Sequence, residues 1–262
     1  METKRILEER IKGVKEAGNE IKRIYGEDFS ISYKEDDSPV TNADLSSNQI
    51  IRNHLSKFKN IAWLSEESQD DLSRLEKREV FIVDPLDGTE DFVRKDGSFA
   101  VNIAYAVDGK PVLAVIGVPR KDAYAYAIKG KGAYYVDENG TETKLSVSSR
   151  KENLVRLISK THRLDSEAEI KEKYSSKIKE VLAIGASLKG IALAGGRGDI
   201  SIRYTKHTKE WDVCARDLIV KEAGGLFMDG KGNEFIYNRR DVYNQDGYSR
   251  FNNKENKELR LK

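Results

Sequence analysis

Residues 81–89 have the sequence Phe81-Ile82-Val83-Asp84-Pro85-Leu86-Asp87-Gly88-Thr89. The first three side chains predict a buried strand, whereas Pro85 has no N–H for a sheet ladder and Gly88 permits a tight turn. We therefore expect Asp84 and Asp87 where a strand ends and a helix begins. There, the N–H groups of Gly88 and Thr89 can face an anion, and the two carboxylates can face one cation. An ordinary aspartate-rich turn is the alternative.

A second acidic pair, Glu66 and Glu67, follows a short apolar run at residues 61–64. If this run and residues 80–83 are neighbouring strands, both sets of carboxylates lie at one sheet edge, where ligand sites of open α/β sheets are found. Carboxylates so close together repel each other unless cations separate them. The alternative is that both glutamates are solvated surface residues.

Two further aspartates stand at predicted helix starts. Asp212 follows Glu210-Trp211 and precedes an apolar run, so it either contributes to a site or only favours the helix dipole. Asp44 comes three residues after Thr41, and this spacing is typical of a helix cap. Capping and a catalytic role both remain open for Asp44.

Periodicity divides the rest of the chain into two kinds of pattern. Apolar steps of three and four residues predict helices at residues 7–25 and from Asn42, followed by an antiparallel meander of strands at residues 99–107, 112–118 and 123–128. After about Ser146 an α/β pattern predicts a strand at residues 154–158 and helices at residues 167–179, 186–194 and 211–223. We find no repeat or low-complexity linker, so the two halves are expected to pack together.

Composition narrows the class of partner. The 46 Lys and Arg residues nearly balance 44 Asp and Glu residues, so no overall field favours nucleic acid or an anionic membrane. The single cysteine, Cys214, cannot form an intrachain disulfide, and the amino terminus resembles neither a signal peptide nor a membrane span. We expect a cytoplasmic monomer or homodimer that acts on a small molecule.

These acidic segments, in this order, resemble the inositol monophosphatase superfamily of Mg²⁺-dependent, lithium-sensitive phosphatases. The resemblance extends over nearly the whole chain. It implies a layered α/β/α/β/α sandwich of the sugar-phosphatase type, of the α+β or α/β class, with a cleft between two halves. Residues 1–146 would carry most metal ligands, and residues 147–262 would carry Asp212 and the residues that select the substrate.

The resemblance also assigns roles. The metal ligands for two or three Mg²⁺ ions would be the side chains of Glu66, Asp84, Asp87 and Asp212 and the carbonyl of Leu86. Thr89, hydrogen-bonded to Asp44, would orient and deprotonate the attacking water, and Glu67 would hold a further metal-bound water. The phosphate would lie against the Gly88 and Thr89 amides, and Li⁺ would inhibit.

Several segments are closer to the 3'(2'),5'-bisphosphate nucleotidase branch, namely residues 37–45, 88–92, 99–104, 187–189 and 210–212. Asn244-Gln245 departs from that branch, whose members tend to have Asn-Pro there. A substrate such as 3'-phosphoadenosine 5'-phosphate has a second phosphate that local cations must hold. Our candidates are Lys189 first, and then Arg203, Lys206, Arg239 and Arg240.

Other residues are assigned near the substrate with alternatives. Ser187 and Asp212 would contact it, and His162 either contacts it or lies in a solvent-facing loop. Tyr237 and Tyr243 either stack on a base or pack, and Cys214 is expected to pack rather than to act as a nucleophile. The alternative functions are an inositol or fructose-1,6-bisphosphate phosphatase of broad specificity and a non-catalytic phosphate-ester sensor. A sensor should have lost a metal ligand, and none is missing.

Overall fold

The structure is a computed structural model that describes residues 2–161 and 174–259. Its described helices are α1 (Glu2–Tyr25), α2 (Asn42–Leu55), α3 (Thr89–Val93), α4 (Leu188–Ala194) and α5 (Glu210–Glu222). A hairpin of β1 (Ile31–Tyr33) and β2 (Pro39–Thr41) precedes α2. Within these two ranges, no helix combines the length and the apolar character needed to cross a membrane.

A seven-stranded sheet forms most of the first half. Its strands, in spatial order, are β3 (Ala62–Ser65), β4 (Glu79–Asp87), β5 (Ala100–Val107), β6 (Lys110–Val118), β7 (Ala123–Ile128), β8 (Gly132–Val136) and β9 (Glu142–Lys144). β3 is parallel to β4, and every later pair is antiparallel, which confirms the predicted meander. The parallel pairing places Glu66, which follows β3, beside the end of β4.

A five-stranded sheet forms most of the second half. Its strands are β10 (Leu154–Ile158), β11 (Ile178–Ala183), β12 (Ile200–Arg203), β13 (Leu226–Asp229) and β14 (Tyr248–Phe251), in the spatial order β11-β10-β12-β14-β13. β10 is parallel to its neighbours β11 and β12, and β14 is antiparallel to β12 and β13.

The layers follow from which faces are apolar. Val101 and Ile103 of β5 belong to a core with α1 and α2, whereas Ala100 and Ala104 face a second core that includes α5. This two-residue alternation buries both faces of the sheet. Helix α5 packs against β4 to β8 on one side and β13 on the other, so it lies between the two sheets. The predicted layered fold is confirmed.

Apart from shifts of a few residues, such as the starts of α1 and β6, three boundaries differ from the prediction. β4 continues past Pro85 to Asp87, because a register shift between Asp84 and Asp87 leaves proline out of the ladder. Helix α4 begins at Leu188 rather than Ala186, since Ala186 has a positive φ of 46°, which no helix accommodates.

The third difference concerns the helix predicted at residues 167–179. Residues 162–173 lie outside the described part of the chain, but residues 174–177 form a turn and Ile178 begins β11. The end of the prediction is therefore wrong. Ile178 pairs in parallel with Leu154, and this pairing determines the strand conformation there. The two residues are 24 positions apart in the chain, so the local sequence contains no pattern that predicts the strand.

Candidate active site

Three carboxylates from two separate segments converge at the carboxyl end of β4. Asp84 and Asp87 belong to β4, and Asp212 lies in the first turn of α5. One oxygen of each lies within 4.8 Å of the others. Glu66 lines the same cleft, which has a volume of about 630 Å³. The position of α5 between the sheets is what brings Asp212 to a strand of the first half.

The carboxylates of this cluster repel each other, and this repulsion changes the pKa values of two of them. Burial, and then the charges of Asp87 and Glu66, raise the pKa of Asp84 well above its ordinary value. The same causes raise the pKa of Asp212 to about 7. Among the described residues, Asp84 Oδ2 is buried and has no hydrogen-bond partner. Clustered hard oxygen atoms that repel each other, with one buried oxygen that has no hydrogen-bond donor, suit a divalent cation such as Mg²⁺.

Asp44 completes a capping box at the start of α2, whose N-cap residue is Thr41, and it also contacts Thr89. Its Oδ2 accepts hydrogen bonds from the Thr41 N–H at 2.8 Å and the Thr41 hydroxyl at 2.6 Å. Its Oδ1 accepts one from the Thr89 hydroxyl at 2.9 Å. The cap and the predicted Asp44–Thr89 pair are therefore both present, and the two alternatives are not exclusive. Burial raises the pKa of Asp44, although these hydrogen bonds act against the shift.

Lys34 joins the two glutamates. Its ammonium group donates to Glu66 Oε1 at 2.9 Å and to Glu67 Oε1 at 2.6 Å. Burial, partly opposed by the hydrogen bond from Lys34, raises the pKa of Glu67 to about 7. Burial opposes a charged lysine, but the two carboxylates raise the pKa of Lys34 overall. Sequence analysis missed this contact because the partners are 32 and 33 positions apart.

The turn between β4 and α3 requires glycine. Gly88 has a φ of +96°, and a Cβ atom there would lie 2.9 Å from the carbonyl oxygen of Ser98 and 3.1 Å from the Ala186 side chain. Gly88 and Thr89 both line the cleft beside Asp87, as do Asp84 and Leu86. The backbone can therefore approach a ligand closely here.

Ser187 lies behind Asp87. Its hydroxyl donates to Asp87 Oδ2, and the Asn102 amide donates to the same oxygen at 3.3 Å. Ser187 is fully buried and is not among the described residues that line the cleft. The structure thus places this predicted substrate residue against a predicted metal ligand.

Only some of the basic residues predicted to hold a second phosphate lie in the cleft. Lys189 and Arg203 line it, whereas Lys206 and Arg240 are not among its described lining residues. Arg239 forms a salt bridge with the buried Glu210 at 3.0 Å, so its guanidinium group is used to hold the fold. A second-phosphate role for Lys206, Arg239 and Arg240 is therefore not supported.

The tyrosine and cysteine residues considered as substrate contacts or nucleophiles also differ in their positions. Tyr237 is buried, stacks on Phe235 and donates to Asp217 at 2.9 Å, so it packs, whereas Tyr243 lines the cleft. Cys214 is fully buried, as predicted. His162 lies outside the described residues.

Arg216 and Tyr248 are among the cleft residues that were not predicted from the sequence. Arg216 follows Asp212 by four positions on α5, and this spacing puts both side chains on one helix face. That signal was available in the sequence. Tyr248 lies on β14, and no local pattern connects it with α5.

Comparisons with known proteins agree over the whole chain. The family model described as the inositol monophosphatase family matches residues 2–262. The 3'(2'),5'-bisphosphate nucleotidase CysQ of Salmonella typhimurium is 32% identical over 247 residues, which cover 93% of this chain and 98% of that protein. The Escherichia coli K12 protein of the same name is 32% identical over 88% of this chain and 94% of its own.

Solved structures show the same similarity. CysQ from Bacteroides thetaiotaomicron superimposes with a TM-score of 0.82 at 28% identity, covering 95% of this chain and 97% of that chain. The extragenic suppressor protein SuhB from Bartonella henselae has a TM-score of 0.81 at 29% identity, with 97% and 96% covered. The chain belongs to the inositol monophosphatase family.

Proposed function

We propose that this protein is a Mg²⁺-dependent phosphatase that hydrolyses 3'(2'),5'-bisphosphate nucleotides such as 3'-phosphoadenosine 5'-phosphate. The observation that carries the proposal is the convergence of Asp84, Asp87 and Asp212, with Glu66, in one cleft. The relatives named 3'(2'),5'-bisphosphate nucleotidase support the choice of substrate.

The proposed metal ligands are the carboxylates of Glu66, Asp84, Asp87 and Asp212 and the carbonyl of Leu86. When bound, two or three Mg²⁺ ions would supply Lewis acidity, which makes water more acidic and neutralises charge on the phosphoryl oxygens. Asp84, with its unpartnered buried oxygen, has the strongest need for such a partner. Inhibition by Li⁺ stays a prediction from the family resemblance.

We propose that Thr89 and Asp44 orient the attacking water. The Thr89 hydroxyl donates to Asp44 at 2.9 Å or to the Leu86 carbonyl at 3.1 Å, so its lone pairs remain to accept a hydrogen bond from water in the cleft. Asp44, whose pKa is raised by burial, can accept the Thr89 proton in turn. Glu67, held by Lys34, would hold a second water.

The substrate itself would contact both halves of the chain. Its reacting phosphate would lie against the backbone N–H groups of Gly88 and Thr89, where glycine permits close approach. Asp212 would face the leaving sugar as well as the metal. Lys189 and Arg203, which line the cleft, remain candidates for the second phosphate.

The experiment is a comparison of phosphate release from three substrates with Mg²⁺ and with EDTA. We expect kcat/KM to be highest for 3'-phosphoadenosine 5'-phosphate, and lower for inositol 1-phosphate and fructose 1,6-bisphosphate. A preference for either of the other two would establish the alternative phosphatase. Binding of phosphate esters without Mg²⁺-stimulated release would establish a sensor.

We also propose that residues 1–146 hold most of the catalytic residues and residues 147–262 supply Asp212 and the specificity residues. Helix α5 is buried against both sheets. This packing supports two halves that have different roles but fold together as one unit. A cytoplasmic location and a monomeric or dimeric state stay predictions.

A further inference from the structure

Ser187 immediately precedes α4, but its hydroxyl does not cap that helix. The backbone of Ser187 is helical, with a φ of −67° and a ψ of −10°, and its side chain forms no capping hydrogen bond. A serine at this position ordinarily has an extended backbone and accepts a hydrogen bond from an N–H group of the first turn. Ser187 is instead fully buried, and its hydroxyl donates to Asp87 Oδ2. The hydroxyl therefore holds a proposed metal ligand rather than the end of a helix.

The two residues before Ser187 are packed tightly against the first half of the chain. Ala186 has a φ of 46°, in the left-handed region that is unfavourable for a residue with a Cβ atom. A Cβ atom on Gly185 would lie 2.4 Å from Asp91 Oδ2 and 2.5 Å from the Ser98 side chain, so no side chain fits there. Backbone strain of this kind persists only where the surrounding contacts impose it. The packing of this turn thus fixes the position of the Ser187 hydroxyl.

Asn102 contacts the same carboxylate oxygen from the first half. It lies on β5 opposite Asp84 of β4, it is buried, and its Nδ2 donates to Asp87 Oδ2 at 3.3 Å. Its own Oδ1 is buried and has no hydrogen-bond partner among the residues that the structure describes. Rotating the amide would remove the donor and turn the amide oxygen towards a carboxylate. The contact with Asp87 therefore determines the orientation of the Asn102 amide, although it leaves one buried oxygen unpaired.

Asp87 is consequently held through one oxygen by donors from both halves. Within residues 2–161 and 174–259, the hydrogen bonds to its carboxylate both end on Oδ2. Two donors on one oxygen restrict rotation of the carboxylate and leave Oδ1 for a cation. One oxygen of Asp87 lies within 4.8 Å of an oxygen of Asp84 and of Asp212.

We infer that Ser187 and Asn102 are positioning residues, which fix the Asp87 carboxylate in the orientation that binds Mg²⁺. This inference rests on the proposed function, because it takes Asp87 as a metal ligand. Neither residue is among the described residues that line the cleft, so both act through Asp87 and not on the substrate. Since Ser187 comes from the second half and Asn102 from the first, the orientation of Asp87 depends on the contact between the halves.

The test is a calorimetric titration of metal-free protein with Mg²⁺ in the absence of substrate. We expect Ser187→Ala to raise the Kd for Mg²⁺ about ten- to a hundredfold, as is usual when a donor behind a metal ligand is lost. Asn102→Ala should raise it less, because its hydrogen bond is longer. Ser187→Thr keeps a hydroxyl and should bind Mg²⁺ more tightly than Ser187→Ala. If Ser187→Ala does not fold, Asn102→Ala provides the same test.

Ser148→Ala is the matched control, since the Ser148 hydroxyl donates to Asp199, a buried aspartate that is not among the described cleft residues. Tm in EDTA should fall in both serine variants, whereas only Ser187→Ala should change the Kd for Mg²⁺. Equal weakening in Ser148→Ala would show a general loss of stability and overturn the inference.

The inference and the proposed function fail in different ways. If wild type binds Mg²⁺ and the Kd is unchanged in both Ser187→Ala and Asn102→Ala, the positioning role is wrong and the proposed function stands. If wild type does not bind Mg²⁺, the proposed metal site is wrong, and the proposed function fails with it.

Discussion

At the scale of single residues, the acidic cluster is a source of strain in the metal-free protein. Asp84 and Asp212 are buried beside Asp87, and burial together with the charges of Asp87 and Glu66 disfavours the carboxylate form of both. Such an arrangement lowers stability and is explained by a ligand that the carboxylates bind.

Asp87→Asn should abolish Mg²⁺-dependent turnover and leave the metal-free protein as stable as wild type or more so. The change removes one charge from a repelling group, while the amide keeps a carbonyl oxygen for the Ser187 hydroxyl. We expect kcat to fall by more than about a hundredfold, since even residues behind metal ligands contribute ten- to a hundredfold. Phosphate release and Tm in EDTA measure the two effects, with Asp28→Asn, at an exposed position, as the control. A large loss of Tm in EDTA would mean that Asp87 is structural.

The metal-free protein should gain stability as pH falls from about 7.5 to 5. Burial and neighbouring carboxylates raise the pKa of Asp212 to about 7 from 3.8, so the folded state takes up protons in this range before the unfolded chain does. Stability is therefore greatest below the unfolded pKa and is lost as pH rises through the folded value. Tm measured in EDTA tests this, and Asp212→Asn should reduce the slope, while Glu67, whose pKa burial also raises to about 7, supplies part of the remainder. A slope unchanged in this variant would exclude Asp212 as a source.

At the scale of elements, the sequence predicted the helices and strands whose apolar residues repeat at a regular local spacing. Helices α1, α2 and α5 and the strands of the meander have apolar side chains at the right period, and their positions agree with the structure, although α1 begins at Glu2, before the first residue of its apolar stripe. The start of β11 and the pairing of Lys34 with two glutamates depend on partners distant in the chain, so periodicity carries no information about them. Arg216 could be predicted only in part. Its spacing from Asp212 was visible in the sequence, but its contact with Tyr248 of β14 was not.

The turn between β4 and α3 gives a prediction at this scale. Gly88→Ala should destabilise the protein by about 1–3 kcal/mol, because alanine would take a strained φ and its Cβ would press on the Ser98 carbonyl. Gly140→Ala is the matched control, since Gly140 has a φ of +79° but nothing within 4 Å of an added Cβ. Urea denaturation should show a larger loss for Gly88→Ala, and equal losses would contradict the predicted contact.

At the scale of the whole molecule, the site exists only where the two halves meet. Helix α5 of the second half covers the face of the first sheet that carries Ala100 and Ala104, and it positions Asp212 beside β4. Separating the halves would expose that apolar face and dismantle the acidic cluster together. Catalysis and folding therefore depend on the same interface.

The chain should consequently unfold in a single transition, although we propose that its roles are divided near residue 146. One of its two tryptophans lies in each half, Trp63 on β3 and Trp211 on α5. The variant Trp211→Phe therefore keeps Trp63 as a reporter of the first half, and Trp63→Phe keeps Trp211 as a reporter of the second. In each variant we expect the remaining tryptophan's fluorescence and the circular dichroism to give one urea midpoint. Mg²⁺ should raise both signals' midpoints equally, because it binds ligands from both halves of the folded chain. If the two signals separate within a variant, or if Mg²⁺ shifts only one of them, the halves fold independently and α5 does not couple them.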